Sequence, residues 1–129
     1  MQLQRATPTD AEDIAELDLL LFDREAMGPS SFRQELTVGW GMVLRHEGEL
    51  IGYVLVRPGV LHDLTRLGIH PDWRRRGLGG DLFQAALTHH PGPMMLFVRK
   101  YNRMALRMYQ QAGFQVRGAT EDSWLLRAP

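Results

Sequence analysis

The chain has 129 residues, with 44% hydrophobic and 23% charged residues, fifteen basic and fifteen acidic side chains, and no cysteine. This length is typical of one domain, so we expect a single domain over residues 1–129. The lack of cysteine excludes disulfides, zinc ribbons and cysteine nucleophiles, and zero net charge gives no global attraction for nucleic acid or an anionic membrane. With no signal-peptide or membrane-spanning stretch in the sequence, we expect a cytoplasmic protein.

The first elements in chain order are a predicted strand and two helices. A short extended segment begins at Leu3, and apolar residues recur at helical spacing over residues 9–22. Gly28 and the proline after it interrupt the chain. Ser31 is expected to cap a second short helix that runs through Leu36.

Three strands with short turns between them are predicted next. The third strand carries Gly68 near its end. An isolated glycine within a strand marks a bulge or a close approach of another group to the backbone. The three predicted strands cover residues 42–46, 50–56 and 60–69.

The rest of the chain predicts a helix, a buried strand, a second helix and two more strands. The first helix follows a glycine-rich run, and the second starts at Asn102 and stops at Gly113. The strands are predicted over residues 94–98, 114–116 and 124–126. The element order is therefore βααβββαβαββ, which predicts an α/β or α+β domain with a single mixed central sheet flanked by helices.

The glycine-rich run is the segment with the clearest chemistry, and it reads Arg74-Arg75-Arg76-Gly77-Leu78-Gly79-Gly80. It lacks the Gly-Lys-Ser/Thr ending of a Walker A loop, and Leu82 stands where the dinucleotide fingerprint needs glycine. No side chain in the run caps the following helix, so a bound anion can take the place of the cap. On these residues alone, a glycine-rich helix start with solvated arginines is an equally good interpretation.

Two blocks of sequence resemble the GNAT acetyltransferase family. The segment Ile69-His70-Pro71-Asp72-Trp73-Arg74-Arg75-Arg76-Gly77-Leu78-Gly79 is similar to the family's acetyl-CoA motif, Arg/Gln-x-x-Gly-x-Gly/Ala after a strand. The block that starts at Asn102-Arg103-Met104-Ala105 and continues through Tyr109 to Gly113-Phe114 is similar to its Asn-x-x-Ala, Tyr and Gly-Phe pattern. The resemblance implies the GNAT fold and acetyl-CoA as co-substrate, without a metal.

The resemblance also implies where acetyl-CoA binds. Backbone N–H groups of residues 75–80 hold the pyrophosphate, and Leu67 and Ile69 pair with the pantetheine arm beside the bulge expected at Gly68. The strand that contains Phe97 splays away from this one to form a slot. The full set of residues implied in coenzyme binding is Leu67, Gly68, Ile69, Arg74, Arg75, Arg76, Gly77, Leu78, Gly79, Gly80, Asn102 and Tyr109.

Acetyl transfer needs a proton acceptor, oxyanion stabilisation and a proton donor for the leaving thiolate. Tyr109 matches the family tyrosine that acts as general acid, and packing in the core is its alternative role. Asp63 lies where many family members have a glutamate base, with His62 beside it. The oxyanion donor is implied to be a backbone N–H of residues 67–69. The five histidines do not form a helical metal pair, so no metal site is expected.

The predicted function is transfer of an acetyl group from acetyl-CoA to a primary amine. The segment 22–36 is similar to the acceptor loop of the branch that acetylates protein N-termini, including those of ribosomal proteins, and a small-molecule amine is an equal alternative. A non-catalytic acyl-CoA binding or regulatory module is the competing class. Nucleic acid is not expected as a partner, and a homodimer is common in the family.

Overall fold

The computed structural model describes residues 1–128, which form one mixed seven-stranded sheet and four α-helices. The order of these elements and the single mixed sheet confirm the predicted fold. The helices are α1 (Ala11–Phe22), α2 (Pro29–Val38), α3 (Leu78–His89) and α4 (Arg103–Gln111). The strands are β1 (Gln2–Arg5), β2 (Trp40–His46), β3 (Glu49–Arg57), β4 (His62–Ile69), β5 (Met94–Arg99), β6 (Gln115–Ala119) and β7 (Ser123–Ala128). Within the described residues, no helix is long and apolar enough to cross a membrane.

The sheet has the strand order β1-β2-β3-β4-β5-β7-β6, and the pair β4–β5 is parallel while its other neighbours are antiparallel. Its two faces bury separate apolar clusters because side chains alternate along each strand. Helices α1 and α2 cover β2, β3 and β4 on one face, around Phe32 and Tyr53. Helix α3 and Tyr109 of α4 pack on the other face, around Phe83 and Leu96.

The parallel pair β4–β5 comes apart halfway along its length. The two strands are in register only from His62 with Met94 to Leu64 with Leu96. Beyond these residues β4 continues to Ile69 and β5 to Arg99 without pairing to each other. The predicted splay is therefore confirmed, and it leaves a slot inside the sheet.

The bulge predicted at Gly68 is wrong. The register of β3 and β4 shifts between Leu55 and Val56, which makes Thr65 the extra residue of β4. Gly68 is required for the other reason that the sequence offers, because a Cβ there would lie 2.8 Å from the Tyr53 hydroxyl oxygen. The glycine thus gives Tyr53 room to reach the neighbouring helix.

The predicted cap of the second helix is also wrong. Helix α2 begins at Pro29 with Gly28 as its N-cap, so Ser31 lies inside the first turn. Proline is favoured at this first position because its fixed φ suits a helix and its missing N–H would be unpaired there anyway.

Candidate active site

The N-terminal turn of α3 has unpaired backbone N–H groups. The helix begins at Leu78 after Gly77, and no side chain caps it. The N–H of Asp81 donates to the Gly77 carbonyl at 3.1 Å, whereas those of Leu78, Gly79 and Gly80 have no partner among the described residues. These N–H groups and the helix dipole concentrate positive charge at one point. The turn is therefore well suited to bind an anion.

The backbone before this helix is bent into an unusual conformation. Arg75 has a φ of 64° and Gly77 a φ of 77°. The left-handed region costs a non-glycine residue roughly 1–2 kcal/mol, so the conformation of Arg75 is strained. Backbone turns with left-handed residues direct successive N–H groups into an anion-binding concavity. The strain at Arg75 fits a main chain shaped for a ligand.

Arg74, Arg75 and Arg76 are exposed around this turn. The Arg74 Nε donates to the Ile69 carbonyl at 3.4 Å, and the Arg76 guanidinium lies 4.7 Å from the centre of the Trp73 ring. Within residues 1–128 none of the three arginines forms an ion pair. Their charge is consequently available to a bound anion.

The slot between β4 and β5 exposes backbone groups of β4. The N–H of His70 donates to the Ile51 carbonyl of β3 at 2.8 Å. Backbone groups of successive residues in an antiparallel ladder face opposite sides. Leu67 and Ile69 therefore turn their N–H and C=O groups toward the slot, whereas Gly68 faces its partner Tyr53 in β3.

Tyr109 lies in an aromatic cluster under the sheet. Its ring centre is 5.1 Å from that of Phe83 and 6.3 Å from that of Phe114, and the residue is 5% exposed. Burial raises the pKa of the Tyr109 phenol to about 12. The phenol therefore stays protonated at neutral pH and can donate a hydrogen bond, while full transfer of its proton is disfavoured.

Asp63 lies on the opposite face of the sheet, beside α2. It pairs in register with Arg57 of β3, and Arg57 forms an ion pair of 2.6 Å with Glu35 of α2. Partial burial raises the pKa of the Asp63 carboxyl; Arg57 lowers it and Glu35 raises it further. A carboxylate with a raised pKa is a stronger base, as proton abstraction near neutral pH requires.

The predicted acid and base are thus not in contact, since Tyr109 packs in one core cluster and Asp63 lies on the face of the other. The slot between β4 and β5 is where the two faces communicate. Asp63 itself lies in the paired part of β4, opposite Met95 and next to the point where the slot begins.

Asn102 has a structural role in addition to its predicted one. Its side-chain oxygen accepts the N–H of Ala105 at 3.2 Å and so caps α4. The amide NH₂ makes no hydrogen bond with the described residues, and its predicted contact with the coenzyme stays a prediction. Residues 1–128 contain no group of three His, Asp or Glu side chains arranged to hold a metal ion.

A buried network that the sequence analysis missed joins α1 to β4. Asp18 is fully buried and accepts hydrogen bonds from Tyr53 Oη, from Arg66 Nε at 2.7 Å and Nη2 at 2.9 Å, and from the Met27 N–H at 2.8 Å. Asp18 is the charged residue within the apolar stripe of α1, between Ile14 and Leu21 in the sequence. A carboxylate in such a stripe signals a buried partner.

Comparison with protein families gives a match over most of the chain. The model of the acetyltransferase (GNAT) family matches residues 2–114. The probable N-acetyltransferase Rv2775 of Mycobacterium tuberculosis is 30% identical over 88 residues, which cover 64% of this chain and 51% of that protein. The chain spans no more than about half the length of the curated relatives it matches.

Solved structures share the fold at low sequence identity. The ribosomal-protein-S18-alanine N-acetyltransferase of Escherichia coli superposes with a TM-score of 0.86 at 17% identity, over 99% of this chain and 92% of that one. The PaiA N-acetyltransferase of Thermoplasma acidophilum, solved in complex with coenzyme A, has a TM-score of 0.82 at 14% identity, over 98% of each chain.

Proposed function

Because the chain belongs to the acetyltransferase (GNAT) family, we propose that it transfers an acetyl group from acetyl-CoA to a primary amine. The observation that carries the proposal is the uncapped turn of α3 at the end of β4, next to the slot that β4 and β5 leave open. An anion site adjoining a slot lined by free backbone groups suits a pyrophosphate attached to an amide-containing arm. The Thermoplasma relative was solved with coenzyme A, which agrees with this ligand.

The residues have distinct roles in the proposed coenzyme site. The N–H groups of residues 75–80 bind the pyrophosphate, with added charge from Arg74, Arg75 and Arg76. The backbone groups of Leu67 and Ile69 pair with the pantetheine amides. Asn102 contributes its free amide NH₂ from the start of α4.

The proposed reaction is direct attack without a covalent enzyme intermediate or a metal. The amine nitrogen bonds to the thioester carbon, the carbon–sulfur bond breaks, and the sulfur leaves as a thiolate. Asp63 accepts the amine proton directly or through water, with His62 as the neighbouring alternative. The N–H of Leu67 or Ile69 stabilises the oxyanion. Tyr109 donates a hydrogen bond to the departing sulfur, which takes its proton from Tyr109 or from solvent.

The acceptor is either a small-molecule amine or a protein N-terminus. The likeness of segment 22–36 to an acceptor loop and the fold shared with the Escherichia coli enzyme support a protein N-terminus. A cleft near α2 does not distinguish the two acceptors, because its volume of 360 Å³ is at the small end of the range for ligand sites. The cleft is lined by Met27, Ser31, Gln34, Glu35, Val38 and Arg57.

A non-catalytic acyl-CoA binding or regulatory module is the second candidate. The observation that favours it is the burial of Tyr109 between Phe83 and Phe114, which fits a packing role. The coenzyme site is common to both candidates, and turnover separates them.

One experiment tests both candidates. Native mass spectrometry of the purified protein should show copurified acyl-CoA. A screen of amines and N-terminal peptides should then show release of the coenzyme A thiol with at least one acceptor. Binding without release by any acceptor would favour the non-catalytic module, and the absence of acetyl-CoA binding would refute the proposal.

The proposal also includes the domain organisation, the location and the oligomeric state of the protein. One domain over residues 1–129 predicts a single cooperative unfolding transition. A cytoplasmic location is checked by cell fractionation. A homodimer is checked by light scattering of the purified chain.

A further inference from the structure

The segment between α1 and α2, residues 23–27, crosses the slot on the open face of the sheet. Its main chain is bound to β4, where Arg66 Nη2 donates to the Glu25 carbonyl at 2.8 Å. The side chain of Glu25 is bound to β5, where its carboxylate forms an ion pair with Arg99. Glu25 therefore connects the two strands beyond the point where their own pairing stops at Leu64 and Leu96.

The face that this segment crosses is the accessible side of the slot. On the other face, α3 and α4 cover the sheet, and Phe83 of α3 and Tyr109 of α4 pack in one core cluster with Leu96 of β5. On this face α1 and α2 pack on β2, β3 and β4, and Phe97 of β5 is 53% exposed. A ligand that approaches the slot from solvent on this side meets the segment 23–27 first.

The two anchors of the segment differ greatly in strength. The β4 anchor is part of the buried network, since Asp18 is fully buried and receives both Arg66 and the N–H of Met27. The β5 anchor is solvent-exposed, because the side chains of Glu25 and Arg99 are 56% and 34% exposed. Releasing the segment from β4 would leave the buried Asp18 carboxylate without the Met27 N–H, which is costly, whereas exposed ion pairs exchange readily and are screened by salt.

Arg99 has a second acidic partner on another loop. Its Nη1 lies 3.5 Å from the Asp122 carboxylate, which precedes β7. When Glu25 leaves, the Arg99 guanidinium keeps an acidic partner in Asp122. The exposed anchor can thus open without leaving Arg99 unpaired.

We propose that Glu25 and Arg99 form a latch over the slot, fixed on the β4 side and releasable on the β5 side. The latch is a pair of positioning residues: closed, it holds residues 23–27 over the bound acyl group, and open, it admits the acceptor on this face. This inference rests on the proposed function only for the identity of what the slot holds. The closed and open states themselves are properties of the ligand-free chain.

The test uses Glu25→Gln, Arg99→Gln and the double variant, with Glu12→Gln as the matched control. Glu12 forms an ion pair with Arg33 away from the slot, and this pair is somewhat more exposed than the latch pair, with side chains 62% and 45% exposed. Amide hydrogen exchange follows the N–H of Ala26, which is bonded to the Asp23 carbonyl, and that of Met27, which is held by Asp18. Stopped-flow measurement of the acetyl-CoA dissociation rate reports how readily the ligand leaves the slot.

We expect each latch variant to speed exchange at Ala26 about two- to fivefold, which is the range for loss of an exposed ion pair. Met27 should keep its protection because its anchor is buried. Dissociation of acetyl-CoA should accelerate by a similar factor. The double variant should show the same exchange and dissociation rates as the single latch variants, because both substitutions break the same ion pair. Glu12→Gln should show the rates of the wild type. Added salt should move the wild type toward Glu25→Gln.

Unchanged exchange at Ala26 in Glu25→Gln would overturn the latch, and so would additive effects of the two substitutions. Faster exchange with unchanged acetyl-CoA dissociation would show that the segment does not cover the slot, which also overturns it. If the wild-type protein bound no acetyl-CoA, the proposed function would fail, and exchange in the ligand-free protein would still decide whether the latch exists.

Discussion

The turn that starts α3 and the sheet face beside α1 and α2 are built in opposite ways. The turn consists of consecutive residues, and its binding groups are main-chain N–H groups made available by Gly77, Gly79 and Gly80. The other face is assembled from side chains far apart in sequence, such as Asp18 with Arg66 and Glu25 with Arg99. Binding by main-chain groups requires only that the glycines of the turn are kept, whereas binding by side chains changes when any one of those side chains is replaced. We therefore expect the proposed coenzyme side to be common to relatives and the proposed acceptor side to be particular to this chain.

The largest effect on ligand binding that tests this comparison is expected at the turn. Gly79→Trp should weaken acetyl-CoA binding by at least about a hundredfold, because the side chain would fill the space where backbone N–H groups meet the anion. The fold should survive, since a Cβ at this position is 3.7 Å from Ile69 Cγ1, an ordinary contact. Calorimetry with acetyl-CoA measures the effect, and the control is Gly118→Trp in β6, where a Cβ also meets its nearest neighbour, Leu125 Cδ2, at 3.7 Å. Unchanged affinity in a folded Gly79→Trp protein would remove the turn from the coenzyme site.

The largest effect on stability is expected from the buried network of the other face. Asp18→Ala should lower the free energy of unfolding by about 3–5 kcal/mol, since it leaves the Arg66 guanidinium and the Tyr53 hydroxyl without their buried acceptor. Urea denaturation measures the change. Arg33→Ala, which breaks an exposed ion pair, should cost no more than about 1 kcal/mol. Equal losses in the two variants would mean that the network does not fix this face.

A smaller effect is expected at Asp63, where substitution should lower activity without lowering stability. If Asp63 is the base as proposed, Asp63→Asn should lower turnover by about a hundredfold and remove the acidic limb of the pH–rate profile, because a base must be deprotonated to act. The pKa of Asp63 is raised in the folded state, so between its ordinary pKa and the raised pKa the folded state binds more protons than the unfolded state. Stability therefore falls as pH rises through this range. Removing the charge should therefore leave stability at neutral pH unchanged or slightly higher. A profile that keeps its acidic limb would transfer the role to another group, with His62 next to be tested.

The smallest effect is expected at Tyr109. Tyr109→Phe should lower turnover about tenfold, which is the loss expected for one hydrogen bond to a charged atom. The phenol makes no hydrogen bond within the described residues, and the ring still packs against Phe83 and Phe114, so the midpoint of thermal unfolding should hardly change. Acetyl-CoA affinity should also be retained. Full activity of the variant would leave Tyr109 with a packing role only.

The same contrast explains what the sequence predicted and what it did not. The run Arg74–Gly80 carries its chemistry in adjacent residues, so one segment was enough to predict the uncapped turn. Glu25 and Arg99 are 74 positions apart, and Asp18 and Arg66 are 48 apart, so only the fold brings them together. Asp18 was not singled out in the sequence, although its position within the apolar stripe of α1 is a signal for a buried charge, and that signal does not identify the partner.

The error at Gly68 has a related cause. A glycine in a strand fits a bulge and a close approach equally well in sequence, and the choice depends on a tyrosine fifteen positions away in another strand. The splay of β4 and β5 was predicted only through the family resemblance, because no local pattern in either strand shows where their pairing stops.

In the proposed function, the open slot makes the coenzyme a thermodynamic part of the native state. Strands β4 and β5 present unpaired peptide groups within the sheet, so a ligand whose amides complete this missing ladder binds the native chain and not the unfolded one. Such a ligand at a hundredfold excess over its dissociation constant adds about 2.7 kcal/mol to the free energy of unfolding. The melting temperature of this protein should then follow the acetyl-CoA concentration around it, and a cell depleted of acetyl-CoA would hold a less stable protein.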